Sequence, residues 1–430
     1  MAYASLIVYI LVLFIRPQEW VPGMMNISVM NYVMGVAIFA TLLEMANNEW
    51  HFKNAPQNWL VLGFFIAVIL SNVLSFQSWF NFHATQTAFT EFGKIILLYF
   101  LISINLRSIR RVKGFIVAII IGCLFMTIHG ILQIHTGFGF GSKPPLFIPQ
   151  ENAYRIVAFG FFDDPNDVAQ ALVVALPFLI SGIHRPGIAT PRRLVSLVLA
   201  GVIGYGIYLT GSRGGWLSLA VMTVSYFLLN FRHKKISLVL GVLAVVGLMA
   251  LAPARVSSVS THDQSARGRL VAWADGNRML KMSPLFGIGK GRFGEYSESG
   301  LVAHNSFVHC WAELGLFGYF WWLGMLFASV KDGYALGKER SDDPEKGEMG
   351  RVSRAILVAL IGFLASAVFL SRTYTPPLFI LIGLIAAVRA VREREGGPLR
   401  LGFVRRDCRW VLAAEMASIP FFYVMMRFMW

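Results

Sequence analysis

Runs of roughly 20 mainly apolar residues recur from Ala4 to about Val391, separated by short polar breaks, and this repetition constrains the chain more than any other feature. Such a run is long enough to cross a bilayer as a helix, so the sequence predicts one all-α, membrane-embedded bundle over residues 1–430 rather than a string of soluble domains. The balance of residues agrees: 56% are hydrophobic and 14% charged, and the mean hydropathy is +0.61. A soluble domain carries about 25% charged residues. Lys and Arg number 38 against 23 Asp and Glu, for a net charge of +15. In a soluble chain that excess would raise nucleic acid as a partner; in a membrane chain it first reports topology, and no nucleic-acid partner is expected. The three cysteines form neither a disulfide framework nor a metal-ligand pattern. The opening AYASLIVYILVLFI lacks a basic leader and a nearby cleavage pattern, so it is expected to stay as the first span.

Candidate spans lie near 3–15, 27–46, 59–76, 87–105, 114–136, 167–183, 193–210, 215–231, 236–252, 305–330, 353–371 and 374–391, about twelve in all. With a cytoplasmic N-terminus, the basic clusters fall on alternate connections: Arg107 to Lys113, Arg185 to Arg193, Arg232 to Lys235, Lys331 to Arg351, and the Arg-rich stretch from Arg389. That alternation is what the positive-inside rule requires. Residues 392–430 then form a basic cytoplasmic tail that either lies along the inner surface or inserts further. One outer connection, 253–304, breaks the charge bias with Arg255, Arg267, Arg269, Arg278, Lys281, Lys290 and Arg292. An anionic ligand explains such an excess, and so do anionic lipid headgroups.

Within that loop, SARGRLVAWADGNRMLKM places Leu270, Trp273 and Leu280 at roughly helical spacing and reads as an amphipathic surface helix. The Gly-rich SPLFGIGKGRFGEY that follows lacks the strand and helix of a nucleotide loop. A second outer segment, Thr136 to Asp164, is rich in Gly and Pro. It ends in Asp164-Pro165-Asn166-Asp167, which reads as a helix start with Asp or Asn as cap.

Three polar groups fall at the outer surface. Arg213 sits in the tight LTGSRGGW turn, where a membrane-level arginine either meets an anion or snorkels to the interface. Arg267 and Arg269 lie beside Trp273, and guanidinium forks of this kind meet phosphate oxygens bidentately. His304 stands at the mouth of a span, followed by Asn305, with His309 deeper as its competitor. A histidine of near-neutral pKa can accept a proton from a hydroxyl, although an isolated histidine is commonly structural. His129 and His135 have no evident partner in the sequence.

Taken together, these segments resemble the O-antigen ligase and polymerase superfamily of integral membrane glycosyltransferases, most specifically between Thr210 and Gly318. The pattern of His, then Asn, Ser or Gln, then nine residues, then Gly-x-x-Gly is met by His304, Asn305, Gly315 and Gly318. The TGSRGG turn and the run from Arg269 to Phe293, with Trp273 and PLFGIGKGRF, also resemble the family. FIRPQEWVPG and FFDDPND look more like the branch associated with exosortase systems.

The resemblance implies an O-antigen ligase of lipopolysaccharide biosynthesis, a multi-pass protein of the bacterial inner membrane whose active site opens to the periplasm. It would transfer a glycan from undecaprenyl pyrophosphate to a hydroxyl of lipid A–core. His304 would activate the acceptor, Arg213, Arg269 and Arg267 would hold the pyrophosphate, and Asn305, Trp273 and Arg292 would support them. Since the leaving group is already activated, permanent cations suffice to offset its charge, so an inverting, metal-independent transfer with no cofactor is expected. Beyond donor, acceptor and membrane lipids no partner is implied, and a monomer is expected. A polymerase or a protein O-oligosaccharyltransferase would use the same donor. A lipid-linked glycan flippase would place charge at mid-membrane and often shows repeated halves, whereas here the cations cluster on one face without an internal repeat.

Overall fold

The computed structural model describes residues 1–25, 27–47, 55–75, 82–183, 190–253, 264–298, 300–339, 344–396 and 402–429. Helices dominate, and ten of them among the described residues are long and apolar enough to cross a membrane. The chain is an all-α polytopic membrane protein. Helices Arg213–Asn230, Lys234–Ala250 and Pro376–Gly396 coincide with three further expected spans but are less apolar, shorter or more charged, respectively. The chain folds as two compact units, one built from 1–52, 104–258 and 333–366, the other from 53–103, 259–332 and 367–430.

In the first unit, helix Ala2–Ile15 packs against Val29–Asn47 and Ile109–Thr136. Lipid tails are as apolar as the side chains, so such helices associate through close packing rather than through exclusion from water. Small residues permit it: a Cβ on Gly122 would lie 2.5 Å from that of Phe14, and one on Gly215 would lie 2.7 Å from that of Ala169. Helix Pro165–Ile183 is largely enclosed, packing on Thr190–Thr210 and Arg213–Asn230, and its Gln170 amide donates to Ser366 Oγ at 2.6 Å. Helix Lys234–Ala250 leaves Ile236, Val239, Leu243 and Val246 exposed, as a lipid-facing helix does.

The segment between Thr136 and Pro165 holds a feature the sequence did not announce, a hairpin of Leu146–Ile148 antiparallel to Ala153–Arg155. Beyond it the FIRPQEWVPG segment meets the residues just before FFDDPND. Glu19 pairs with Arg16 at 2.6 Å and accepts the Gly160 N–H at 2.7 Å, while the Trp20 ring lies among Phe125, Phe140 and Phe159.

In the second unit, helices Pro56–Val73, Gly93–Asn105, Ser306–Lys338 and Pro376–Gly396 contribute a core that includes Phe64, Phe92, Tyr99, Trp311, Trp322 and Phe379. At one end of it Asp332 is buried between Arg389 at 2.7 Å and the Gln57 amide at 2.8 Å. The expected span 305–330 is observed as a longer helix, Ser306–Lys338, broken at Gly315, where φ is 63° and ψ −170°. The Gly-rich run docks into this break. Ile288 and Gly289 donate their N–H groups to the Ala312 and Glu313 carbonyls at 3.1 and 3.0 Å, and Leu316 and Phe317 donate to the Pro284 and Leu285 carbonyls at 2.8 and 3.0 Å. Both sides need glycine. A Cβ on Gly315 would strike the Leu285 carbonyl, and one on Gly287, at φ 70°, would strike the Glu313 backbone. Gly315→Ala is therefore expected to lower the thermal unfolding midpoint in detergent by the equivalent of about 1 to 3 kcal/mol. Gly247→Ala, in a helix with open space around it, should leave the midpoint unchanged or raise it.

Candidate functional site

Helix Gln264–Met282 forms where the amphipathic pattern predicts it, with Leu270, Ala272, Trp273, Gly276 and Met279 buried and Leu280 only half-buried. It seats on the start of helix Ser306–Lys338 so closely that a Cβ on Gly276 would strike the Val308 side chain. Two polar anchors set its register. Trp273 Nε1 donates to the Ala303 carbonyl at 3.0 Å, and Asp275 accepts from Ser297 Oγ and the Glu298 N–H, both at 3.0 Å. Arg278 spans Asp275 at 3.0 Å and Glu298 at 2.7 Å, which accounts for one of the loop cations as structural.

His304 lies between the Trp273 anchor and the helix. It is half-buried and has φ 48°, a left-handed conformation that costs a non-glycine residue about 1 to 3 kcal/mol. Two groups flanking it hold that conformation. Ala303 is tied to Trp273, and the buried Asn305 caps the helix, its Oδ1 accepting the Phe307 and Val308 N–H groups at 2.9 and 3.1 Å. Asn305 thus acts on the backbone. The 370–375 turn closes the same spot: Ser306 Oγ donates to the Leu370 carbonyl at 2.6 Å, the Arg372 N–H donates to Ser306 Oγ at 2.8 Å, and Thr373 Oγ1 donates to the Ser306 carbonyl at 2.9 Å.

The competing histidine is built into the core. His309 Nε2 lies 3.2 Å from buried Glu313 and its Nδ1 3.4 Å from Thr373 Oγ1, with its ring against Phe293 and Tyr374. Glu313 also accepts the Phe293 N–H at 3.2 Å, so one carboxylate joins the helix to the Gly-rich run. That run carries two cations. Lys290 Nζ stands 5.3 Å from the centre of the Tyr374 ring, while Arg292 pairs with Glu295 at 2.9 Å and reaches Tyr296 Oη at 3.0 Å.

Residues 195–323, which include both the TGSRGG turn and the His304 helix start, match the family model described as O-antigen ligase. Over those residues the chain is similar to O-antigen ligases. It is also similar, at 22% identity over 181 residues, to an uncharacterized protein of Haemophilus influenzae. That match covers 35% of this chain and 44% of the relative, so the chain spans less than half the length of the protein it resembles.

Among the residues that the superfamily resemblance singles out, Arg269, Trp273, Arg292, His304 and Asn305 belong to the second unit, and of these Trp273 and Asn305 hold the backbone on either side of His304. Arg269 stands one helical turn before Trp273. Arg267 belongs to the same helix, but its side chain lies outside the described residues. Arg213 belongs to the first unit, where the turn before it is tightly specified. Gly211 has φ 57°, and Ser212 caps helix Arg213–Asn230 through the Gly215 N–H at 3.1 Å and donates to Asn166 Oδ1 at 2.6 Å.

The two adjacent acids of the FFDDPND segment have local partners. Asp164 Oδ1 accepts the Asn166 N–H at 2.7 Å, as expected of a helix start, and Asp163 pairs with Lys143 at 2.6 Å. His129 and His135 gain partners that the sequence did not reveal. The Phe140 N–H donates to His129 Nδ1 at 2.9 Å, and His135 Nε2 meets Tyr205 Oη at 3.0 Å. The sequence reading also missed Glu313 and Arg372. An acid inside an apolar run marks Glu313 as a residue with a buried partner, whereas nothing in the short SRT break points to Arg372.

Trp273→Phe keeps an aromatic ring but removes the Ala303 hydrogen bond and part of the buried indole, so the thermal midpoint should fall by the equivalent of about 1 to 3 kcal/mol. Asn305→Ala should cost about as much, and Asn305→Asp, which still caps, should sit near wild type in the same measurement.

Proposed function

We propose that the protein is a membrane glycosyltransferase of the O-antigen ligase type, acting at the periplasmic face of a bacterial inner membrane. The observation that carries this reading is His304. It holds a left-handed backbone between the Trp273-bound Ala303 and the Asn305 cap, inside the segment that matches the family. Strain of this kind persists only where the surroundings over-determine it, and it commonly marks a working residue.

In the proposed reaction an acceptor hydroxyl gives its proton to the His304 imidazole while its oxygen attacks the anomeric carbon of the donor glycan. The bond from that carbon to the pyrophosphate oxygen breaks, undecaprenyl pyrophosphate leaves with the bonding pair, and the anomeric configuration inverts. Arg269 and Arg213 bind the pyrophosphate and offset its developing charge, with Arg267 beside Arg269. Guanidinium groups stay protonated at any working pH and need no metal to do this. Trp273 and Asn305 position the base. Lipid A–core is the proposed acceptor; a growing glycan chain or a protein hydroxyl would use the same donor chemistry.

Transfer by purified protein in liposomes, with an undecaprenyl-pyrophosphate glycan as donor and lipid A–core as acceptor, tests this directly. His304→Ala should reduce turnover by about 100-fold or more while donor still binds. Arg269→Ala and Arg213→Ala should weaken donor affinity, and a chelator should leave the rate unchanged. Donor affinity and turnover that survive both arginine substitutions would sink the pyrophosphate assignment. Donor binding without transfer to lipid A–core, but with transfer to a glycan or protein, would replace the acceptor.

A further inference from the structure

Helix Arg405–Met429 has a distribution of residues that a helix lying on a membrane surface could not use. Its charges sit at the ends, Arg405, Arg406, Asp407 and Arg409 at the start and Arg427 at the finish. Between them the exposed residues include Trp410, Leu412, Met416, Phe421 and Val424, while the one acid, Glu415, is buried. A surface-lying helix shows a polar face to water; this one shows an apolar face outward and its polar groups inward.

The contacts along it run in a single order. Near its start, Asp407 pairs with Lys331 at 2.7 Å, and Lys331 also donates to the Gly402 carbonyl at 3.0 Å. Further on, Ser418 Oγ meets Tyr319 Oη at 2.8 Å. Further still, the Phe422 ring lies 5.8 Å from that of Trp311, 5.5 Å from that of Phe307 and 5.6 Å from that of Trp273. Partners on helix Ser306–Lys338 thus step backward from 331 to 307 as the last helix advances from 407 to 422, so the two run antiparallel. A 25-residue helix is about 37 Å long, more than the roughly 30 Å of a hydrocarbon core.

We infer that helix Arg405–Met429 is a membrane span antiparallel to the His304 helix, and that it brings Phe422 to the His304 face as a positioning residue for Trp273. The ring of Phe422 meets Trp273 edge to face, with the planes at 86°, and is itself buried. Trp273 in turn holds Ala303, next to His304. The last helix therefore supports the base from behind. The span stands without any assumption about chemistry; the positioning role rests on the reading of His304 as the acceptor's base.

Topology is tested by labelling with a membrane-impermeant maleimide in a Cys408→Ser background, where the remaining cysteines, Cys123 and Cys310, are buried. Single cysteines at exposed positions report the sides: Phe428→Cys at the end of the helix, Leu301→Cys beside the site, and Val404→Cys before the helix. Positions 428 and 301 should label from the same side and 404 from the other. Labelling of 428 together with 404, opposite to 301, would overturn the span.

Positioning is tested with Phe422→Ala and Phe422→Tyr. In Phe422→Ala, hydrogen exchange of the 303–308 segment should quicken, and kcat should fall about three- to tenfold with donor KM held, as loss of an aromatic pair predicts. Phe422→Tyr should restore both. Exchange unchanged in Phe422→Ala would overturn the positioning role even if no transfer is ever observed, whereas faster exchange in a protein without transfer would count against the glycosyltransferase reading alone.

Discussion

The break at Gly315 is the feature on which the second unit depends. A helix interrupted inside a membrane leaves N–H and C=O groups without intrahelical partners, and each orphan costs several kcal/mol where water cannot reach it. Here the Pro284–Gly289 run supplies the missing partners with its own backbone, so helix and loop complete each other. Neither element is satisfied without the other. The glycines follow from the same constraint: at Gly287 and Gly315 two backbones approach to a distance that admits no Cβ. The first glycine of the Gly-x-x-Gly pattern is therefore a packing requirement one step removed from chemistry, and it fixes where the loop carrying Lys290 and Arg292 must lie.

The same economy of anchoring governs the site. His304 owes its place to main-chain attachments on both sides, a Trp273 indole on the residue before it and an Asn305 cap on the residue after it. Anchoring on both sides fixes the backbone of His304 and with it the direction in which its side chain leaves the chain. His309, five residues on, shows the contrast. Its ring nitrogens face Glu313 and Thr373, and through Glu313 it ties the helix to the Gly-rich run. Two histidines in one motif thus divide into a candidate working group and a structural one.

The first unit makes its own turn rigid by similar means. Ser212 caps the helix that begins at Arg213 and reaches across to Asn166, so the helix starts at Asp164 and Ser212 are linked side chain to side chain. The FIRPQEW and FFDDPND segments, remote in sequence, meet through the stacked rings of Phe14 and Phe162.

Hydropathy and spacing alone determined the all-α membrane class, the places of most spans and the amphipathic helix around Trp273, because lipid tolerates only apolar segments whose backbone bonds are satisfied internally. The family resemblance singled out His304, Asn305, Gly315 and Gly318, and local chemistry marked Asp164 as a cap. Only tertiary structure decided what those residues do. That Asn305 is a cap, that His309 is engaged by Glu313, that Gly315 breaks a helix for a loop 25 to 30 positions earlier, and that the last helix runs along the His304 helix all rest on contacts between segments distant in sequence. Local patterning carries the period of an element and the residues at its ends. It carries nothing about which backbone will come to fill a gap, and that is set by packing.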